Sequence, residues 1–346
     1  MQRLPGLALA VLVALAALGL HELLPARLGV VVGAVLIAVL LGLLFGNLLQ
    51  LPATLTLGVR YAFGPLLRLA IVLLGASLSL QAVAATGLKA LSMVVLLMAL
   101  ALATAHAVGR LLGVPGKLAT LLGVGAAVCG NTAISATGPA IGASDRDLSV
   151  AIATNTLFGT IAVFLYPILG RALGFDDAVF GTWAGSAVND TSQVVATGFA
   201  YSEAAGHVAT TVKLTRNALM VFVIVGMTFV HRNEAARQLP FWPMLRQSIP
   251  LFVLGFLALA LLNTLGFVDW LGAQAHRDLG ADLAAAAKFL TVVALAGVGL
   301  ATKFALMRQT GLRPVLLGLV TALVVSLSSL ALIQFLGPAQ VGGASG

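Results

Sequence analysis

Apolar runs of membrane-spanning length recur along the chain, separated by connections too short to hold a folded domain. The first begins after Arg3 and reaches Leu20. Others follow at about 27–47, 62–80, 89–109, 117–143, 149–170, 178–201, 207–230, 248–265, 283–306 and 314–336. A helix needs roughly 20 apolar residues to cross a bilayer, so the pattern predicts an all-α polytopic membrane protein with about eleven transmembrane helices. The longest polar connections are Gln50 to Tyr61, His231 to Gln247 and Gly266 to Asp282. The opening stretch has the outline of a signal peptide, but no small-residue cleavage site leads into a polar mature segment, so it reads as a first span.

One run departs from the pattern. Lys117 to Ala143 is interrupted at its middle by Cys129-Gly130-Asn131-Thr132, and it carries Gly123, Gly125, Gly130, Gly138, Pro139 and Gly142. Glycine and proline weaken or end helices. Backbone groups freed by a break cannot face lipid, so a break at that depth survives only where protein buries it or where it lines a watery cavity. Glycines alone would fit a packing face between helices. With Asn131, Thr132, Ser135 and Thr137 added, the run reads as a site where a half-helix N-terminus meets an anionic solute.

Composition agrees with the pattern. Of 346 residues 60% are hydrophobic and 9% charged, and the mean hydropathy is +1.08, which excludes a soluble domain with a charged surface. The lipid bilayer is therefore one partner. The single Cys129 excludes internal disulfides and a cysteine-built metal site, and the five His residues form no close cluster. No metal and no other cofactor is predicted. The formal charge of +8 bears on topology rather than on nucleic acid, which is not expected as a partner. With a cytoplasmic N-terminus, one side receives Arg3, Arg60, Arg110, Lys117, Arg171, Arg232, Arg237, Arg246, Arg308 and Arg313. The other receives Arg27, Lys89, Arg146 and Arg277. Ten against four is a positive-inside bias that places the C-terminus outside.

Six charged residues fall within predicted spans: Arg68, Asp190, Lys213, Arg216, Lys288 and Lys303. Such charges usually face the protein interior, a partner or water. Lys213 and Lys288 lie near span ends, where a lysine is expected to snorkel. Asp190 is the one acid near a span centre, in the polar run Asn189-Asp190-Thr191-Ser192-Gln193. A coupling group for H+ or Na+ and a salt-bridge partner of Arg68 or Arg216 are both open to it.

Without the first span (1–26), the rest divides into five and five spans, 27–172 and 173–346, whose odd number sets the halves in opposite orientation. Arg68 and Arg216 each lie in the second span of a half. The fourth spans match too, the run broken at Gly130 answering to 283–306, where Ala294 to Lys303 has a glycine-weakened middle followed by Thr302 and Lys303. This predicts an inverted repeat with two broken helices crossing near the midplane.

Four segments carry a family resemblance: Leu67 to Gly75, Cys129 to Ile134, Trp183 to Ser192 and Val212 to Arg216. Over nearly its whole length the chain resembles the YeiH-like sulfate exporter family, bacterial inner-membrane proteins related in fold to bile-acid symporters and cation/proton antiporters. Two positions depart from that family's pattern. Asn189 stands where many relatives have His beside the acid, which argues against proton coupling through that histidine. Asn131-Thr132 replaces a smaller pair, which alters substrate fit. The resemblance implies a small anionic solute, either an oxyanion or a sulfonate, and leaves a homodimer open.

The expected function is secondary active transport of a small anion, ion-coupled and by alternating access. The candidate binding residues are Cys129, Gly130, Asn131, Thr132, Arg68, Arg216, Asn189, Thr191, Ser192, Thr302 and Lys303, with Asp190 as coupling group. No P-loop is present to use ATP. A passive anion channel is the alternative. An intramembrane enzyme ranks below both, because Cys129 has no base near it in sequence and Asp176-Asp177 is a poor metal signature.

Overall fold

The computed structural model describes residues 3–24, 33–48, 52–77, 80–231, 251–274, 276–302 and 311–339, and all regular structure among them is helical. In chain order the helices are α1 (Leu4–Leu23), α2 (Ala34–Leu48), α3 (Ala53–Tyr61), α4 (Leu67–Leu74), α5 (Leu80–Leu111), α6 (Gly116–Ala127), α7 (Asn131–Ala140), α8 (Asp145–Ala172), α9 (Asp177–Ala187), α10 (Thr191–Tyr201), α11 (Glu203–Ala218), α12 (Met220–Val230), α13 (Leu251–Thr264), α14 (Phe267–Gln274), α15 (Leu279–Ala301) and α16 (Leu312–Leu336). A π-helical turn, Ala62–Leu66, joins α3 to α4. Six of the described helical segments are long and apolar enough to cross a membrane, and the α13–α14 pair, bent by 71°, would make a seventh.

Two of the predicted spans turn back on themselves. Lys117, in the first turn of α6, donates from Nζ to the carbonyl of Gly142, just past α7, at 2.6 Å. A straight helix would hold those residues roughly 35 Å apart at 1.5 Å per residue. The α6–α7 segment is therefore a helical hairpin whose ends lie side by side. The α9–α10 segment is a second one: Ser202 Oγ donates to Asp177 Oδ1 at 2.5 Å, and the Tyr201 hydroxyl donates to Phe175 O. Neither 117–143 nor 178–201 crosses from one face to the other. Between them runs α8, an unbroken helix of 28 residues, about 42 Å long at the same rise. Its ends carry the bases of the two hairpins, which thus enter from opposite sides and meet at their tips.

Sequence accounts for where each hairpin opens. Gly130 has φ +69° and ψ −124°, a conformation that glycine adopts without steric cost. In the second hairpin Val188 and Asp190 are extended, and the Asp190 carboxylate accepts from Ser192 N–H as the N-cap of α10. Both arms of the second hairpin lie on α11 through small residues. A Cβ on Gly185 would stand 2.7 Å from Ala209 O, and one on Gly198 would stand 2.9 Å from Ala209 Cβ.

The second broken helix expected at 283–306 is not there up to Thr302. α15 runs unbroken through Gly297 and Gly299, and Lys303 lies outside the described residues. Those glycines serve packing instead. A Cβ on Gly299 would lie 2.4 Å from Val39 O, and one on Gly42 would lie 2.5 Å from Ala296 O, so α2 and α15 cross backbone to backbone. The other opening is the one at Val188 to Asp190.

The hairpin geometry predicts sidedness. In a Cys129→Ser background, single cysteines at Lys117 and Ala143 should both react with a membrane-impermeant maleimide from one face of oriented vesicles. Cysteines at Asp177 and Ser202 should react from the other. Labelling of positions 117 and 143 from opposite faces would mean that the segment spans.

Candidate functional site

The two hairpin tips are held by α11. A helix end leaves its last carbonyls without intrahelical donors, and α6 and α9 both end inside the protein. Lys213 and Arg216 on α11, both fully buried, supply the missing donors. Lys213 Nζ donates to Val128 O at 2.8 Å, to Val188 O at 3.0 Å and to Asn189 O. Arg216 donates from Nε to Ala127 O at 2.6 Å and from an Nη to Ser186 O at 2.7 Å. Each cation thus bonds both hairpins and sits at the negative end of two helix dipoles. No carboxylate among the described residues lies within ion-pair distance of either, so a salt bridge between Asp190 and Arg216 is not formed. Lys213 does not snorkel as its position in the predicted span implied. Lys288 does reach an exposed end, pairing with Glu203 at 3.0 Å.

Asp190 occupies the opposite pole of the crossover. Its Oδ1 accepts from Ser192 N–H at 3.0 Å and from Ser192 Oγ at 2.6 Å, and its Oδ2 accepts from Asn131 N–H at 3.2 Å. One carboxylate thereby satisfies the N-termini of α7 and α10, the positive ends of both returning arms. The contact leaves no room for a side chain at the first tip: a Cβ on Gly130 would lie 2.8 Å from Asp190 Cα and 2.9 Å from its Oδ2.

In front of the tips lies a cavity of about 990 Å³. Asp190, Asn131, Ser192, Gln193, Thr156 and Thr302 are among its polar lining, and Arg60 and Arg146 add two guanidinium groups. An amide network stiffens the floor. Asn155 Nδ2 donates to Asn131 Oδ1 at 2.9 Å, Asn131 Nδ2 donates to Thr156 Oγ1 at 3.1 Å, and Gln193 Nε2 donates to Thr156 O at 3.0 Å. The set of oxygens, amides and guanidinium groups suits a small polar solute.

Four of the candidate binding and coupling residues line this cavity, Asn131, Ser192, Thr302 and Asp190, and Ser135 of the same broken run lines it too. Gly130, Asn189, Thr191 and Arg216 build the tips behind it, Thr191 through a bond from Asn217 Nδ2 at 3.2 Å. Thr132, on the first turn of α7, is exposed but not part of the lining. Cys129 is turned away, its thiol 3.2 Å from Met220 Sδ. Arg68 belongs to no site here. The buried face of α4 is Leu67, Ala70, Ile71 and Leu74, which leaves Arg68 and Leu69 pointing outward, and Arg68 has no hydrogen-bonding partner among the described residues. The structure does not bring it together with Arg216. Arg60, Arg146, Thr156 and Gln193 were not singled out. Asn155 and Thr156 form a polar pair inside the apolar run 149–170, a signal that was there to read.

The family described as Conserved hypothetical protein 698 matches residues 5–318 of this chain. A UPF0324 membrane protein of Streptococcus pyogenes serotype M18 is 35% identical over 97% of this chain and 98% of its own length. The chain belongs to this family. It is the YeiH-like group to which the sequence segments point. Further UPF0324 membrane proteins match from Agrobacterium fabrum, 32% identical over 89% of this chain and 84% of the relative, and from Bordetella bronchiseptica, 35% identical over 80% and 86%. No solved structure matches.

The tip contact predicts the effect of one methyl group. Gly130→Ala forces a non-glycine residue into a sparsely populated positive-φ conformation, at about 1–3 kcal/mol, and drives its Cβ into Asp190. The purified variant should melt several degrees below wild type. An unchanged melting temperature would mean that the tips are not in contact.

Proposed function

We propose that this UPF0324 protein is a secondary active transporter of a small anion, namely sulfate, another sulfur oxyanion or an organosulfonate, working by alternating access in the bacterial inner membrane. The observation that carries the reading is the polar cavity ending on two opposed hairpin tips, with Arg60 and Arg146 in its walls. Opened helices at the midplane are the form in which secondary transporters hold solutes and ions. Guanidinium groups with helix N-termini at the base favour an anion.

The hairpins also support a topology. If each returns to the face it left, Arg146 moves to the side of Arg60 and Arg171 moves away from it, so the tally of ten against four is unchanged. With the N-terminus in the cytoplasm and the C-terminus outside, the cavity opens inward and both arginines stand on the cytoplasmic side, as the positive-inside rule favours.

Asp190 is the coupling group in this reading. Its carboxylate neutralises the two helix N-termini at which an anion would otherwise dwell. A proton or a sodium ion on Asp190 releases that positive potential to the solute, so ion and anion bind together. An enzymatic reading has less support, since the Cys129 thiol packs on Met220 and Asp176 and Asp177 serve as N-cap and hairpin tie.

Proteoliposome uptake tests this. Wild-type protein should accumulate one of sulfate, sulfite, thiosulfate or taurine against its gradient when a proton or sodium gradient is imposed. Asp190→Asn should still exchange that anion but no longer accumulate it. Full uphill accumulation by a stable Asp190→Asn protein would remove the coupling role, and purely downhill flux by wild type would make the protein a channel. Arg60→Ala and Arg146→Ala should each raise KM about tenfold, the loss of about 1.4 kcal/mol expected for one charge-assisted contact, with little change in maximal rate.

A further inference from the structure

Broken-helix transporters commonly use the carbonyls at half-helix C-termini and in the unwound backbone to coordinate a sodium ion. In this protein that place is filled by a side chain. Val128 O comes from the first tip, and Val188 O and Asn189 O come from the second. All three accept from one ammonium group, that of Lys213, which is wholly shielded from solvent. No carboxylate among the described residues lies within ion-pair distance of this lysine. Its charge is offset by oxygen dipoles, as a dehydrated metal ion's charge would be. An ammonium has three donors and no acceptor, which matches three convergent carbonyls.

We propose that Lys213 is a tethered cation standing in a carbonyl cage that would otherwise take a monovalent metal ion, so that the joining of the two hairpin tips is independent of sodium. Because the cage holds one carbonyl from the first tip and two from the second, the cation joins the arms that enter from opposite sides. A free sodium ion in that place would couple tip closure to the sodium gradient. A covalently held ammonium cannot leave, so tip closure draws nothing from that gradient. Arg216 cannot take over the role: its guanidinium is held by Ala127 O and Ser186 O, just before the cage in each hairpin, and it reaches only one cage carbonyl, Val188 O, at 3.5 Å. The inference takes the proton as the ion on Asp190, and to that extent rests on the transporter reading.

The test reads stability, with no transported solute present. Wild-type protein in detergent should show the same melting temperature in sodium, potassium and choline chloride at equal ionic strength. Lys213→Ala empties the cage and should melt several degrees lower. Sodium or methylammonium at tens of millimolar should restore much of that loss, because a ligand that binds only the folded state stabilises it by mass action. Choline, too large for the cage, should not. Sodium-specific stabilisation of the wild type would overturn the proposal and point to a metal ion among the amide oxygens of Asn155, Asn189 and Gln193, which are buried without protein partners. A folded Lys213→Ala protein that no small cation stabilises would overturn it as well. Should Lys213→Ala fail to fold, the wild-type salt series and the same series on Lys213→Met still decide, the longer apolar stem preserving packing while removing the charge. If sodium independence and rescue hold but no anion is carried, the transport reading falls and the cage stands.

Discussion

A peptide group that loses its helical partner inside a bilayer must find another within the protein, and this fold is arranged around meeting that need twice at one place. Two helical hairpins end blindly inside the protein, leaving four helix termini to be satisfied there. Lys213 and Arg216 take the carbonyl ends, and the Asp190 carboxylate takes the N–H ends. Removing either set would leave several polar groups buried without partners, each costing about 1–3 kcal/mol. The charges are therefore conditions for the hairpins to exist before they are instruments of function.

That arrangement also sorts charge in space. Cations lie behind the tips on α11, at the negative ends of α6 and α9, and the carboxylate lies in front, facing the cavity, at the positive ends of α7 and α10. In the transport cycle proposed above, a solute entering past Arg60 and Arg146 would meet positive potential along the walls and the Asp190 carboxylate at the base. Whether that group is charged sets the attraction at the deepest point. The small-residue contacts of α9 and α10 on α11, and of α2 on α15, hold the frame in which so small a change is felt.

Much of the candidate site was legible in the chain. The Cys129 to Thr132 interruption and the polar run around Asp190 announced themselves because polar and glycine residues in an apolar stretch need a reason to be there. Other readings failed for identifiable causes. Hydropathy measures length and not direction, so a helix that turns back at Gly130 and one that crosses look alike. Gly297 and Gly299 read as a weak point, yet in a bundle glycine just as readily marks a close crossing, here of Gly299 with Gly42 and of Gly297 with Ala62 and Phe63. Lys213 was placed near a span end by counting residues along 207–230. Only the hairpin packed against it reveals that a residue ten positions into α11 stands beneath both tips. Arg68 fell on the outward side because α4 buries the Leu67, Ala70, Ile71 and Leu74 face. Arg60 and Arg146 could not have been joined from sequence, since their meeting depends on the first hairpin returning to its own side.

In the proposed cycle the cavity in front of the tips binds the anion and opens to each face in turn. A single cysteine at Thr156, on the cavity wall in a Cys129→Ser protein, measures this most directly through its labelling by a membrane-impermeant thiol reagent. Labelling is expected from the face to which the cavity opens, slowed by whichever anion the protein carries, and from the opposite face when an outward gradient of that anion is imposed. Reactivity from one face alone under every gradient, indifferent to anions, would contradict it.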